Sequence, residues 1–209
     1  MKTDIIKKQM LTQVLANIIG VFVFIYLFWK RLRDDYLSEQ LFTTSFFVII
    51  GLVIGLFVSR LIAFQWWFWL GAAGICLGAG AAVYRYRLRA FEVVEALAFS
   101  FLPWVGLIFI SDSINYLSLA SFLGFVICAL LMALFIYFDR HYKNFSWYTS
   151  GRVGFSGLAI SGIFFSLRGL VAIFFPFVLS FVGKYELVLS WVSALIFYIL
   201  VFRLSKKLT

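Results

Sequence analysis

VGFSGLAISGIFFSLRGLVAIFF, residues 153–175, is the stretch whose reading decides the fold. It is long enough to cross a bilayer core of about 30 Å as a helix, and it carries a single charge, Arg168. Its thirteen Leu, Ile, Val and Phe residues each favour insertion by roughly 0.3 to 0.6 kcal/mol, against about 2.5 to 3.5 kcal/mol opposed by one arginine. The helix therefore inserts. The guanidinium then needs an anionic partner or water, because an ion facing hydrocarbon is costly.

The rest of the chain has the same character. Of its 209 residues 64% are hydrophobic, 21% aromatic and only 13% charged, more apolar surface than a soluble core of this size can hide. The expected fold is an all-α integral membrane protein, one polytopic domain over residues 1–209. Seven spans are expected, at 11–29, 41–58, 66–84, 93–110, 116–138, 153–175 and 187–202. Pro103 falls inside the fourth, where neighbouring helices can satisfy the freed carbonyl, so it predicts a kink and not an end. Continuing the sixth span through residues 176–183 would make a rod of about 45 Å, so a break at Pro176 and a short interfacial piece are expected.

Orientation follows from eighteen Lys and Arg residues. Twelve follow the odd-numbered spans: Lys30, Arg31 and Arg33; Arg85, Arg87 and Arg89; Arg140, Lys143 and Arg152; Arg203, Lys206 and Lys207. Five lie on the other side, at Lys2, Lys7, Lys8, Arg60 and Lys184, and Arg168 is in the membrane. The positive-inside rule then puts the N-terminus outside and the C-terminus in the cytoplasm. The formal charge of +9 is read as topogenic, since its clusters hug helix ends, and no nucleic-acid partner is expected.

No metal-ligand cluster, Gly-rich phosphate loop or nucleophile elbow is visible, and no cofactor is expected. Cys76 and Cys128 read as inert buried thiols. No cleavable signal follows the first span. In the third span Gly74, Gly78 and Ala82 form a small-residue ridge behind Trp66, Trp67 and Trp69, suited to close helix packing or to a lipid or peptide alongside. Ser111-Asp112-Ser113-Ile114-Asn115 reads as the connection between spans four and five, with side chains suited to capping. Arg168 is the sixteenth residue of a span entering from the cytoplasm, about 22 Å along it and so in the outer half. Ser111, Asp112, Asn115 and Arg168 are accordingly the candidate site, an outward-facing polar cluster for a phosphate or lipid headgroup, with Asp112 the nearest acidic candidate for Arg168. Glu95 sits at a cytoplasmic edge, too shallow to form a relay with Arg168, and His141 reads as a solvated loop residue.

This layout resembles the prolipoprotein diacylglyceryl transferases of bacterial inner membranes, which have seven spans and an outside N-terminus. Their third span is Gly-rich, like Gly71 to Gly78 here. Their pattern Gly-Arg-x-Gly-Asn-Phe-x-Asn-x-Glu falls where this chain reads Ile108 to Leu117, with Asn115 identical, Asp112 in place of the first Asn and Phe109 in place of the arginine. Their Tyr-Gly-x-x-Arg-x-x-x-Glu stretch is similar to residues 165–172 here, which keep Arg168 and lack the glutamate. The family's histidine ahead of the third-span Gly-Gly has no counterpart. The resemblance implies phosphatidylglycerol as donor, the thiol of a lipobox signal peptide as acceptor, and Arg168 as the cation for the departing phosphate.

Two readings follow: a divergent transferase, or a non-catalytic relative that binds an anionic phospholipid or a signal-peptide-like helix. A small transporter subunit is a third, weaker for want of charges inside the spans. Orientation is tested with single cysteines at Thr3 and Ser205 in a cysteine-free background. An impermeant maleimide on intact cells is expected to label position 3 and spare position 205, and the reverse pattern inverts the topology.

Overall fold

The computed structural model describes residues 2–141, 155–175 and 180–206, and these form seven helices: α1 Lys2–Leu32, α2 Ser38–Ile62, α3 Trp67–Tyr86, α4 Ala90–Tyr116, α5 Leu119–His141, α6 Phe155–Phe174 and α7 Tyr185–Lys206. All seven are long and apolar enough to cross a membrane. In hydrocarbon a helix satisfies its own backbone polar groups, which is why apolar runs of this length take that form. Their outward faces are rich in exposed large side chains such as Phe22, Phe57, Leu77 and Phe174, as a lipid-facing surface requires.

The helices alternate in direction. The C-terminal end of α1 meets the start of α4 and the end of α5 through Arg31, while Gln9 and Thr12 near the start of α1 meet Asn115 at the end of α4. One end of the bundle therefore collects the clusters at Lys30 to Arg33, Arg85 to Arg89 and Arg140, and is called the basic end below.

Packing divides the bundle into two groups that share α4. Phe24 and Phe28 of α1, Leu41 and Val48 of α2, Ala79 of α3, and Val93, Ala96 and Trp104 of α4 form one buried cluster. On the other side Leu102 of α4, Leu131 and Phe135 of α5 and Ile160 of α6 form a second. Phe155 and Leu158 of α6 with Val201 and Leu204 of α7 form a third. Within the first group α2 and α3 touch backbone to backbone. A Cβ built on Gly74 would collide with the Gly51 carbonyl, one on Gly78 with the Phe47 carbonyl, and one on Gly55 with the Leu70 carbonyl. The small-residue ridge of α3 is thus filled by α2, with Gly71, Gly74, Gly78 and Ala82 all buried, and offers no room there for a lipid or peptide.

Several boundaries differ from the sequence reading. α4 runs through Ser111 to Asn115, so this segment is the last turns of a helix and not a connection. The turn comes later, at Leu117 in a left-handed conformation (φ 50°), and Ser118 caps α5 by accepting from the Ser121 N–H at 3.3 Å. The helix continues because its polar side chains find partners on α1 and α5. Pro103 does lie within α4, as expected. α6 ends at Phe174, ahead of Pro176; residues 153–154, and 176–179 of the expected interfacial piece, lie outside the described residues, as do Lys143 and Arg152. His141 is the last residue of α5, its ring stacked on Tyr137, and not a loop residue. Cys128 is buried, but Cys76 is exposed on the outer face of α3, because the buried face is taken by the glycines.

Gly74→Leu is expected to cost more than about 3 kcal/mol in reversible unfolding in detergent, since a backbone carbonyl cannot be repacked like a side chain. Gly80→Leu, where nothing lies within 4 Å of the new Cβ, is expected to leave the unfolding midpoint unchanged.

Candidate functional site

Arg168 occupies the fourth turn of α6, some 20 Å from its start at 1.5 Å per residue, at the end of the bundle opposite the basic end. Its side chain is 9% exposed. The guanidinium Nε donates to Glu186 Oε1 at 2.5 Å, Nη1 to the Ser180 hydroxyl at 3.3 Å and Nη2 to the Ser180 carbonyl at 2.6 Å. Aromatic rings close around it, with the guanidinium carbon 3.6 Å from the Phe68 ring centroid and 4.9 Å from that of Phe181. Such rings attract a desolvated cation through their negative faces. A guanidinium has five N–H bonds, so two on Arg168 have no acceptor among the described residues.

Glu186, in the first turn of α7, is fully buried and is held by four donors. Oε1 accepts from Arg168 and from the Ser190 hydroxyl at 3.0 Å; Oε2 accepts from Trp69 Nε1 at 2.9 Å and from the Val182 N–H at 3.2 Å. The carboxylate therefore binds α3, α6 and α7 to one point. A buried ion pair is tolerated only when its remaining lone pairs are bonded, and here they are.

Glu186 corrects the expectation that Asp112 is the acidic neighbour of Arg168. Asp112 accepts from the Ser121 hydroxyl of α5, and Asn115 exchanges bonds with α1: its Oδ1 accepts from Thr12 at 2.7 Å and its carbonyl accepts from Gln9 Nε2 at 3.1 Å. Among the described residues no hydrogen bond or ion pair joins Arg168 to Ser111, Asp112 or Asn115; the first group faces α1 and α5, Arg168 faces α3 and α7. The Ser111 hydroxyl is buried and has no hydrogen-bond partner among the described residues. Glu186 escaped the sequence reading because it falls just before the seventh span, where it looks like a loop residue. The available signal was its place at the head of an apolar run, on the same side of the membrane as Arg168.

The basic end has a second ionic cluster that sequence reading also missed. Arg31 binds Glu95 and donates to Asp139 Oδ1 at 2.6 Å, joining α1, α4 and α5. Beside it Tyr36 donates to Glu92 at 2.5 Å and accepts from the Arg89 N–H at 3.0 Å, tying the connection before α2 to the connection before α4. Burial pushes the Tyr36 phenol above its ordinary pKa, and the bond to Glu92 adds to the effect, so this tie stays intact throughout the neutral range. Around these residues lies a pocket of about 340 Å³ lined by Lys30, Arg31, Arg33, Asp35, Glu92 and Glu95, among others. Arg31 is bonded to Glu95, Arg33 to Asp34 and Glu92 to Tyr36 and Arg89, so the pocket reads as the junction of two connections. No cluster of metal-ligating residues occurs among the described residues.

No family model matches the chain, and no curated protein or solved structure matches it either.

Removing one partner of the Arg168–Glu186 pair leaves the other charge buried. Arg168→Ala is expected to destabilise by about 3 to 5 kcal/mol, and the apolar pair Arg168→Met with Glu186→Leu to recover most of that loss. Unfolding midpoints of the single and the double variant measure it.

Proposed function

We propose that this chain is a non-catalytic relative of the prolipoprotein diacylglyceryl transferases: a multi-pass protein of the bacterial plasma membrane, N-terminus outside, that holds an anionic phospholipid such as phosphatidylglycerol without transferring its diacylglyceryl group. The observation that carries the reading is the state of Arg168, whose charge is compensated by Glu186 while two of its N–H bonds have no acceptor among the described residues. A phosphate diester oxygen suits those donors, because the guanidinium fork matches phosphate geometry.

The same state argues against catalysis. Transfer to a thiol needs a base to make the thiolate and a cation whose interaction grows as charge develops on the leaving phosphate. Glu186 already takes up the arginine's charge, so little is left to respond. Asp112 is bonded to Ser121 on a different face of the bundle, and His141 stands at the basic end. The cationic clusters at the basic end add a second attraction for anionic headgroups, about 1 kcal/mol per Lys or Arg near the surface.

The purified protein is expected to leave a lipobox signal peptide unmodified in the presence of labelled phosphatidylglycerol, and to retain phosphatidylglycerol over phosphatidylcholine from mixed micelles. Arg168→Lys keeps the pair with Glu186 but loses the fork, and is expected to lower that preference several-fold. Rescue of transferase-depleted cells by this chain, abolished by Arg168→Ala, overturns the non-catalytic reading. Equal retention of the two lipids overturns the binding one.

A further inference from the structure

Among the described residues α3 and the α6–α7 pair meet only at one end. The hydrogen bonds and ring contacts that join them arise from three aromatic positions within four residues, Trp66 just before α3 and Phe68 and Trp69 at its start. Trp66 lies against Tyr185 at 6.4 Å between centroids, Phe68 lies under Arg168, and Trp69 bonds Glu186 and stacks on Phe165 at 5.8 Å. Beyond them α3 turns to the other group: Ile75, Ala79 and Val83 join the cluster formed with α1, α2 and α4. No buried cluster is shared between α3 and α6 or α7. Further along α3, Leu77 is 75% exposed and a Cβ on Gly80 would meet nothing within 4 Å.

Both sides of this seam are stiff. α2 and α3 are locked by backbone contact at Gly51, Gly55, Gly74 and Gly78. α6 and α7 are locked by aromatic rings on glycines, with Tyr198 over Gly162 and Trp191 over Gly169. Two rigid pairs joined at one edge by directional bonds move by breaking those bonds, not by bending. The bonds converge on one carboxylate.

We infer that the Trp69–Glu186–Arg168 clasp is the latch of a lateral gate between α3 and α6–α7, which opens sideways into the bilayer and admits a phospholipid whose phosphate reaches the two N–H groups of Arg168 that have no acceptor among the described residues. The inference rests on the lipid-binding reading for the occupant, but the opening itself is measured without it. Closed, the latch keeps the cation away from hydrocarbon, held by Glu186 and the Phe68 ring. Open, a lipid phosphate takes the place that Trp69 and Phe68 leave, and the charge of Arg168 remains compensated throughout.

The test is the distance between spin labels at Leu77 on α3 and Leu195 on α7, both exposed, measured by double electron–electron resonance in nanodiscs with Cys76 and Cys128 replaced by serine. Trp69→Phe keeps the ring and its stacking but removes the N–H that reaches Glu186. It is expected to add a second, longer distance amounting to at least about a tenth of the population, above the level of a minor state in the latched protein. A disulfide between Trp66→Cys and Tyr185→Cys should abolish that second distance. Glu186→Gln is expected to act in the same direction. A single unchanged distance in Trp69→Phe, with helix content and monodispersity preserved, overturns the gate. So does a second distance that persists when the disulfide is formed. Replacing phosphatidylcholine by phosphatidylglycerol in the disc should enlarge the open fraction. A gate that opens equally in both lipids stands as a gate, and the anionic-lipid reading then fails by itself.

Discussion

One buried charge organises this molecule. A guanidinium placed two-thirds of the way along a membrane helix cannot face lipid, so the chain around it must supply an anion and keep water and hydrocarbon from competing. Glu186 supplies the anion from the first turn of the next helix, and its four donors come from α3, α6, α7 and the turn before α7. The position of α7 against α6, and the reach of α3 toward both, are consequences of satisfying that carboxylate. The aromatic rings of Phe68 and Phe181 complete the enclosure without adding a charge.

Elsewhere the bundle is held by contact, not charge. Between membrane helices there is no hydrophobic driving force to exploit, and close approach takes its place. Four glycines bring α2 and α3 to backbone distance, and Gly157 lets α6 rest directly on the backbone of α4 at Glu95. α4 is the shared wall, contributing to every buried cluster, with Glu92 and Glu95 near one end and Asp112 and Asn115 near the other. Its middle is apolar, so ionic chemistry is confined to the two ends, where Arg31 ties α1 to α5 and the Arg168–Glu186 pair ties α3 to α6 and α7, pairings that no buried cluster provides.

On the proposed reading, compensation of charge separates binding from catalysis. An arginine already paired can still lend hydrogen bonds to an anion, since its donors outnumber the acceptors that the described residues supply. It contributes less to a step in which negative charge grows, because the field it presents is partly cancelled by Glu186. The same pairing keeps the residue's charge compensated with or without a ligand, as the proposed gate requires.

Sequence by itself determined the seven spans, the single charge in the sixth, the tolerance of Pro103 inside a helix and the end of α6 before Pro176. These are local properties: apolar length, residue size and the geometry of proline act within one segment and need no neighbour. Tertiary structure decided the rest. Glu186 became the partner of Arg168, eighteen residues away, because α6 and α7 fold back on each other, a fact that no spacing rule encodes. Ser111 to Asn115 stayed helical because α1 and α5 offered their side chains partners, and without such partners the same residues favour a turn. Gly74 faces α2 while Cys76, two residues on, faces outward, since which side of a uniformly apolar helix is buried depends only on where the next helix lies.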